Sequence, residues 1–292
     1  MYSGKDPEAA ADTALFTDTH AHLGLVEERL GGEAVSELLA AFSFAYASQR
    51  VAADLSLAPF IVDIGTRPGD LAKRQDRFGE FPFIRFTAGL WPGLESLETP
   101  DAALAALAGD LDRPRCSALG ECGLDYHHME ASASAQIALF EAQADMAAER
   151  GLPLIVHSRD AFGDTLAVVA KAAKRFPVII HCFGYGAAEA VKFLDCGCVL
   201  SFAGNLSYRS SEGLRAALAL TPLDMLLFET DSPYMNPLPR RGKPSTSLDI
   251  GRTMEFAASL RMIPLETLAA AVQANALRIF PEKNGRSEAQ RS

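Results

Sequence analysis

No stretch of the chain is apolar for the roughly 20 residues a membrane span requires. The best one, Leu38 to Ala47, is short and broken by Ser43. No secretory leader is expected from Met1 to Ala14, which carries Asp6, Glu8 and Asp12 and no apolar segment. Positive charge is in deficit: 27 Lys and Arg stand against 37 Asp and Glu, a net charge of −10. The surface as a whole therefore lacks the basic face that holds nucleic acid by charge alone. Cysteines number only five, at 116, 122, 182, 196 and 198. An odd count with no regular spacing suggests no framework of bridges and suits free thiols in a reducing compartment. Cys196 and Cys198 form a C-x-C pair, but no second Cys or His pair stands at zinc-finger spacing. These absences predict a soluble, cytoplasmic protein with no membrane partner and no obligate protein partner.

What is present points to a large folded domain. Apolar residues make up 49% and charged residues 22%, which permits a big core and excludes a largely disordered chain. Eight short β-rich apolar runs alternate with helical stretches: Phe16–His22, Phe60–Thr66, Phe83–Gly89, Ser117–Cys122, Leu154–His157, Val178–His181, Val199–Phe202 and Leu226–Thr230. Between them Ile137, Phe140, Ala144 and Ala147 share one helix face, which Gly151 and Pro153 end. Asp160 is placed to cap a helix running to Phe176, and Pro264 to open a last helix ending near Phe280. Strand–helix alternation means a parallel sheet, and a chain of 292 residues with eight such units predicts an α/β fold of the (β/α)8 TIM-barrel type. A doubly wound open sheet is the alternative, but no Gly-rich dinucleotide fingerprint follows the first strand. The expected organisation is a flexible segment over 1–14, one barrel domain over 15–281 and a flexible tail over 282–292.

Histidine is rare, and its placement carries the functional reading. Of six, four close predicted strands: His20 and His22 on the first, His157 on the fifth, His181 on the sixth. The C-terminal ends of barrel strands are where barrel active sites are built. Residues i and i+2 of a strand share a face, so His20 and His22 can hold one ion, or else form a hydrogen-bonded strand pair. Glu121 ends an apolar strand, where a carboxylate is costly unless paired or metal-bound. It fits a bridge between two cations; a salt bridge to Arg115 is the bland alternative. Gly120 and Gly123 would let the backbone pass close to a substrate. Asp231 closes the eighth strand, next to the first in a closed barrel, and can complete the His20–His22 site and orient or deprotonate a water. Glu229 lies deeper on the same face, as an orienting or a structural carboxylate. Four imidazoles and two carboxylates then surround two divalent ions. A pair about 3.5–4 Å apart activates water and neutralises the oxygens of a phosphoester. Mixed N/O donors fit Zn, Mn, Fe or Ni, with Mg possible.

These residues stand in a pattern that resembles the TatD family of metal-dependent deoxyribonucleases. The resemblance runs from about Phe16 to Phe280. It rests on Asp18-Thr19-His20-Ala21-His22-Leu23, Gly120-Glu121-Cys122-Gly123-Leu124-Asp125-Tyr126, Ile155-Val156-His157-Ser158-Arg159-Asp160-Ala161, Ile180-His181-Cys182-Phe183, Glu229-Thr230-Asp231-Ser232-Pro233-Tyr234, Arg241-Gly242-Lys243 and Asn275-Ala276-Leu277-Arg278. It implies a metal-binding barrel with His20, His22, Glu121 and Asp231 on one ion and Glu121, His157 and His181 on the other. It also implies a DNase, exonuclease-like, in which a metal-activated water attacks with Asp231 as base or ligand. DNA, single-stranded or end-containing, is then the substrate. Two departures border the expected substrate mouth. The family's Gly-x-His-Pro reads Gly89-Leu90-Trp91-Pro92 here, and its Asn-Glu-Pro after Arg-Gly-Lys reads Pro244-Ser245-Thr246.

Trp91 can stack on a base or sugar, or pack over helix ends. Arg240, Arg241 and Lys243 form a phosphate clamp or a solvated loop. Arg159 can reach a phosphate or pair with Asp160. Asp125 and Tyr126, with His127 and His128, touch substrate or brace their loop. Two rival functions follow from the same residues. One is a barrel hydrolase of a small ester, amide or phosphoester; barrel amidohydrolases that bridge their metals with a carboxylated lysine differ from this chain, where Glu121 takes the place. The other is a catalytically inactive metal-binding scaffold, against which the full set of six candidate ligands argues.

Overall fold

The computed structural model describes residues 15–51 and 58–281. The expected flexible segments at 1–14 and 282–292 lie outside the described residues. Eight parallel strands run in chain order: β1 (Asp18–Ala21), β2 (Ile61–Asp63), β3 (Ile84–Ala88), β4 (Cys116–Asp125), β5 (Leu154–Arg159), β6 (Val178–Ile180), β7 (Val199–Phe202) and β8 (Leu226–Phe228). Past β8 the chain returns to β1: Ala21 pairs with Ser232, Asp231 N–H donates to the His20 carbonyl at 2.9 Å, and His22 N–H donates to the Ser232 carbonyl at 2.9 Å. The sheet is thus a barrel closed between its first and last strands. Strands covered on both faces are mostly apolar, which is why the sequence shows short runs and no alternation, and the polar residues within them, such as His20 on β1 and Glu121 on β4, stand out.

Helices pack outside: α1 (Leu23–Leu30) and α2 (Gly32–Val51) follow β1, α3 (Leu71–Phe78) follows β2, and α4 (Leu94–Leu97) and α5 (Pro100–Leu111) follow β3. Then come α6 (Ala133–Arg150), α7 (Phe162–Ala172), α8 (Ala187–Asp195), α9 (Glu212–Leu220), α10 (Ile250–Arg261) and α11 (Leu265–Ile279). In α6, Ser132 Oγ accepts the Ala135 N–H, Gly151 ends the helix in the left-handed region, and Phe140, Ala144 and Ala147 are buried as their spacing predicts. Two polar residues on the same face do the positioning. Gln143 takes both the N–H and the carbonyl of Leu90, and Gln136 does the same for Asp125. One helix therefore fixes the loops after β3 and β4.

Three expectations change. Asp160 does not cap α7, which begins at Phe162; its backbone is left-handed and its side chain is exposed and turned to His127, 3.4 Å away. Arg159 accordingly has no ion pair with Asp160. Arg115 does not meet Glu121: its guanidinium donates to the carbonyls of Gly79, Phe81 and Ile84. Gly120 and Gly123 have a strand-packing role that the sequence did not reveal. Both have positive φ, and a Cβ would meet Ile155 at Gly120 and the His157 carbonyl at Gly123, so only glycine lets β4 lie this close to β5.

Candidate metal centre

The strand ends converge on one carboxylate. Glu121, on β4, is 4% exposed. Its Oε1 lies 2.9 Å from His157 Nδ1 and 3.0 Å from His181 Nε2. Its Oε2 lies 3.3 Å from His20 Nε2 and 3.6 Å from His22 Nε2. Asp231 Oδ1 faces the same two imidazoles, at 3.8 and 3.6 Å. Donor atoms of His20, Glu121 and His181, and of His20, His22 and Asp231, form two groups within each of which all lie within 4.8 Å of one another.

Glu121 is within hydrogen-bond distance of His157 and His181, whereas the 3.3–3.8 Å spacings around His20, His22 and Asp231 fit metal ligands better than hydrogen bonds. Ligands about 2.1 Å from a shared tetrahedral ion sit about 3.4 Å apart. His20 is wholly buried, and neither of its ring nitrogens has a hydrogen-bond partner. A buried polar group without a partner is costly, and a cation is a partner that both lone-pair chemistry and the surrounding acids would welcome. Burial and the charge on His181 hold the His20 imidazole below its ordinary pKa, hence neutral and able to ligate. Burial pushes Glu121 up, but the His181 charge and hydrogen bonds from His157 and His181 outweigh it and hold the carboxyl well below its usual range. Asp231 behaves alike: burial raises it, and His22, His20 and His181 bring it below the ordinary value.

The outward nitrogens of two imidazoles are held by further carboxylates. His181 Nδ1 lies 3.2 Å from Glu229 Oε1, an oxygen that also accepts the Cys182 N–H at 2.7 Å; Ser201 Oγ donates to the other oxygen. His157 Nε2 lies 3.1 Å from Asp125 Oδ2, and Asp125 also accepts the N–H groups of His127 and His128. Such partners select the tautomer that aims the remaining nitrogen inward.

A cavity of about 800 Å³ opens over the cluster. Trp91, Asp125 and Arg159 line it; Tyr126 does not, and its hydroxyl donates to Asp164 at 2.7 Å. Arg241 and Lys243 are exposed and also lie outside the lining, with the Arg241 guanidinium 4.5 Å above the Tyr208 ring. Arg240 pairs with Asp249 at 3.1 Å. Trp91 is half-buried, its ring edge-on to His157 at 5.9 Å and to His128 at 6.2 Å, so it belongs to the site rather than to the helix ends. Sequence reasoning missed Tyr234 and Cys182 on the cavity wall, although both stand beside residues it had singled out. It also missed Asp18, whose carboxylate is wholly buried beside Thr230. A charged residue opening an apolar strand was the available signal.

The chain matches the sequence model described as TatD related DNase over residues 17–281. It is 35% identical over 267 residues to the uncharacterized metal-dependent hydrolase YcfH of Escherichia coli K12, covering 91% of this chain and 95% of that protein. It is 32% identical over 200 residues to the 3'-5' ssDNA/RNA exonuclease TatD of Erwinia billingiae, covering 66% of this chain and 76% of that one. Among solved structures, YJJV, a TatD homologue from Escherichia coli K12, superposes with a TM-score of 0.74 at 25% identity, over 91% of this chain and 97% of its own. No helix among the described residues is long and apolar enough to cross a membrane. Barrel, buried imidazole–carboxylate cluster and these likenesses agree: the chain belongs to the TatD-related DNase family and is a metal-dependent hydrolase.

Proposed function

We propose that this protein hydrolyses phosphodiester bonds in DNA, single-stranded or end-containing, with two divalent ions at the barrel mouth. His20, His22, Glu121 and Asp231 would hold one, and Glu121, His157 and His181 the other. The observation that carries the reading is the division of the Glu121 carboxylate, one oxygen toward His157 and His181 and the other toward His20 and His22. When bound, such a pair supplies Lewis acidity and lowers the pKa of an attacking water. The nitrogen-rich donor set favours Zn, Mn, Fe or Ni over Mg.

The chain's own groups do the rest. Asp231 faces the cavity with a carboxyl held ionised, so its oxygens can accept the proton of the attacking water. Arg159, on the same wall two residues beyond His157, supplies a cation for a phosphate that a chain of net charge −10 does not otherwise attract. Nucleic acid as substrate is supported by the family and by the activity in the name of the Erwinia billingiae relative.

The test is hydrolysis of single-stranded DNA oligonucleotides by purified protein with Mg, Mn, Zn or Ni, beside Asp231→Asn. Metal-dependent shortening that disappears in the variant supports the proposal. Intact oligonucleotide under every metal, with metal bound, would move the search to small phosphoesters and amides.

A further inference from the structure

Two aromatic rings stand at the two poles of the ligand cluster. Trp91 is edge-on to His157, which touches Glu121 Oε1. Tyr234 is edge-on to His22 at 6.4 Å, and His22 faces Glu121 Oε2. Each ring is thus one imidazole removed from opposite oxygens of the same carboxylate, and both line the cavity. A phosphodiester carries one nucleoside on each side. Centred over Glu121, it would send one base toward each ring. We infer that Trp91 and Tyr234 form a two-sided base clamp that takes the nucleobases flanking the scissile phosphate of an unpaired strand. The inference rests on the nuclease reading and adds to it how the substrate is held.

Both rings are built in as platforms. A Cβ at Gly93 would come within 2.8–2.9 Å of the Trp91 six-membered ring, so the indole lies against bare backbone. The Trp91 backbone N–H donates to the Thr66 carbonyl, and its neighbour Leu90 is clasped on both backbone groups by Gln143, which fixes the main chain that carries the ring. The Arg29 guanidinium lies 4.4 Å from the Tyr234 ring centroid. That cation–π contact steadies the ring of a residue that is still 39% exposed. Pinned rings lose little freedom on stacking, which raises the affinity each base contributes.

Electrostatics give the clamp a reason. Arg67 on the cavity wall is paired with Glu95 at 3.4 Å, and the chain's net charge of −10 repels a polyanion. Base stacking is indifferent to that charge, and every base has a π-face to offer. A paired base has its faces covered by its neighbours in the duplex, so the clamp selects single strands.

The dinucleotide dTpdT tests this, because it holds one phosphodiester and one base on each side of it. The full chain, loaded with Mn, is assayed on dTpdT and on its two analogues lacking one base. Trp91→Ala and Tyr234→Ala are each expected to raise KM roughly tenfold with little change in kcat. Each variant should also become insensitive to loss of one base, a different base for the two variants. Trp91→Phe and Tyr234→Phe, which keep a ring, should retain most of the affinity. Trp91 is the only tryptophan, so its emission reports directly: dTpdT should quench it, and the analogue lacking the base on the Trp91 side should not. Unchanged KM in both alanine variants, or both variants indifferent to the same base, would overturn the clamp while leaving the nuclease reading intact. Failure of the unaltered protein to hydrolyse dTpdT and longer oligonucleotides would count against the nuclease reading and remove the clamp with it.

Discussion

Asp18 and Thr230, 212 positions apart, close the barrel at the metal-ligand end: the Thr230 N–H donates to Asp18 Oδ1 at 2.9 Å and its hydroxyl to Oδ2 at 2.6 Å. The next residue along is Asp231, whose own N–H donates to the His20 carbonyl. A buried acid at the start of β1 therefore sets where the last carboxylate of the cluster stands.

This closure makes a pH prediction. Burial pushes the Asp18 carboxyl up to about 6, against hydrogen bonds that favour its charged form. The folded pKa lies above the unfolded one, so this group's contribution to stability is complete below about pH 4 and is lost as pH rises through 6. The loss is on the order of 3 kcal/mol. Urea melts of the chelator-treated protein and of Asp18→Asn, compared from pH 4 to 7, should show the difference in stability shift by that order in favour of the variant as pH rises. A pH-independent difference would mean that Asp18 does not change protonation on folding.

The carboxylates behind the imidazoles make a second. Asp125 and Glu229 hold the outward nitrogens of His157 and His181. Asp125→Ala and Glu229→Ala should each weaken metal binding by roughly 10- to 100-fold. Competition with a chromophoric chelator measures this without reference to turnover. Unchanged affinity would assign both carboxylates to loop bracing alone.

A third separates the cations. Arg159 lines the cavity, whereas Arg241 and Lys243 are exposed outside its lining. Arg159→Ala should raise KM for oligonucleotide and lower the salt slope of binding by about one. Arg241→Ala and Lys243→Ala should do less. A larger effect at position 241 or 243 would place the strand's path over the loop that carries them.

Much of this architecture was readable from residues alone. All eight apolar runs became strands, and Val199–Phe202 matches β7 residue for residue, because its four residues are buried and stand out from the sequence around them. The extension of β4 to Asp125 was not legible. It depends on Gly120 and Gly123 packing against β5, a contact between residues more than thirty positions apart. The histidines stood out because four of six ended strands. Behind them, Glu229 was expected as an orienting or a structural carboxylate, and its contact with His181 Nδ1 fits the first, whereas the contact of Asp125 with His157 was not expected. For Arg241 and Lys243, nearness in sequence to Asp231 gave no direction, and the loop turns them to solvent. Asp160 failed as a cap because its left-handed backbone starts the helix two residues later.

The central claim is a pair of ions shared by Glu121, and anomalous diffraction from Mn-soaked crystals tests it most directly. Two peaks about 3.5–4 Å apart, one toward His20, His22 and Asp231 and one toward His157 and His181, with the Glu121 carboxylate between them, are predicted. Glu121→Gln should then lose at least one of the two. A single peak, or peaks that Glu121 does not touch, would contradict the account.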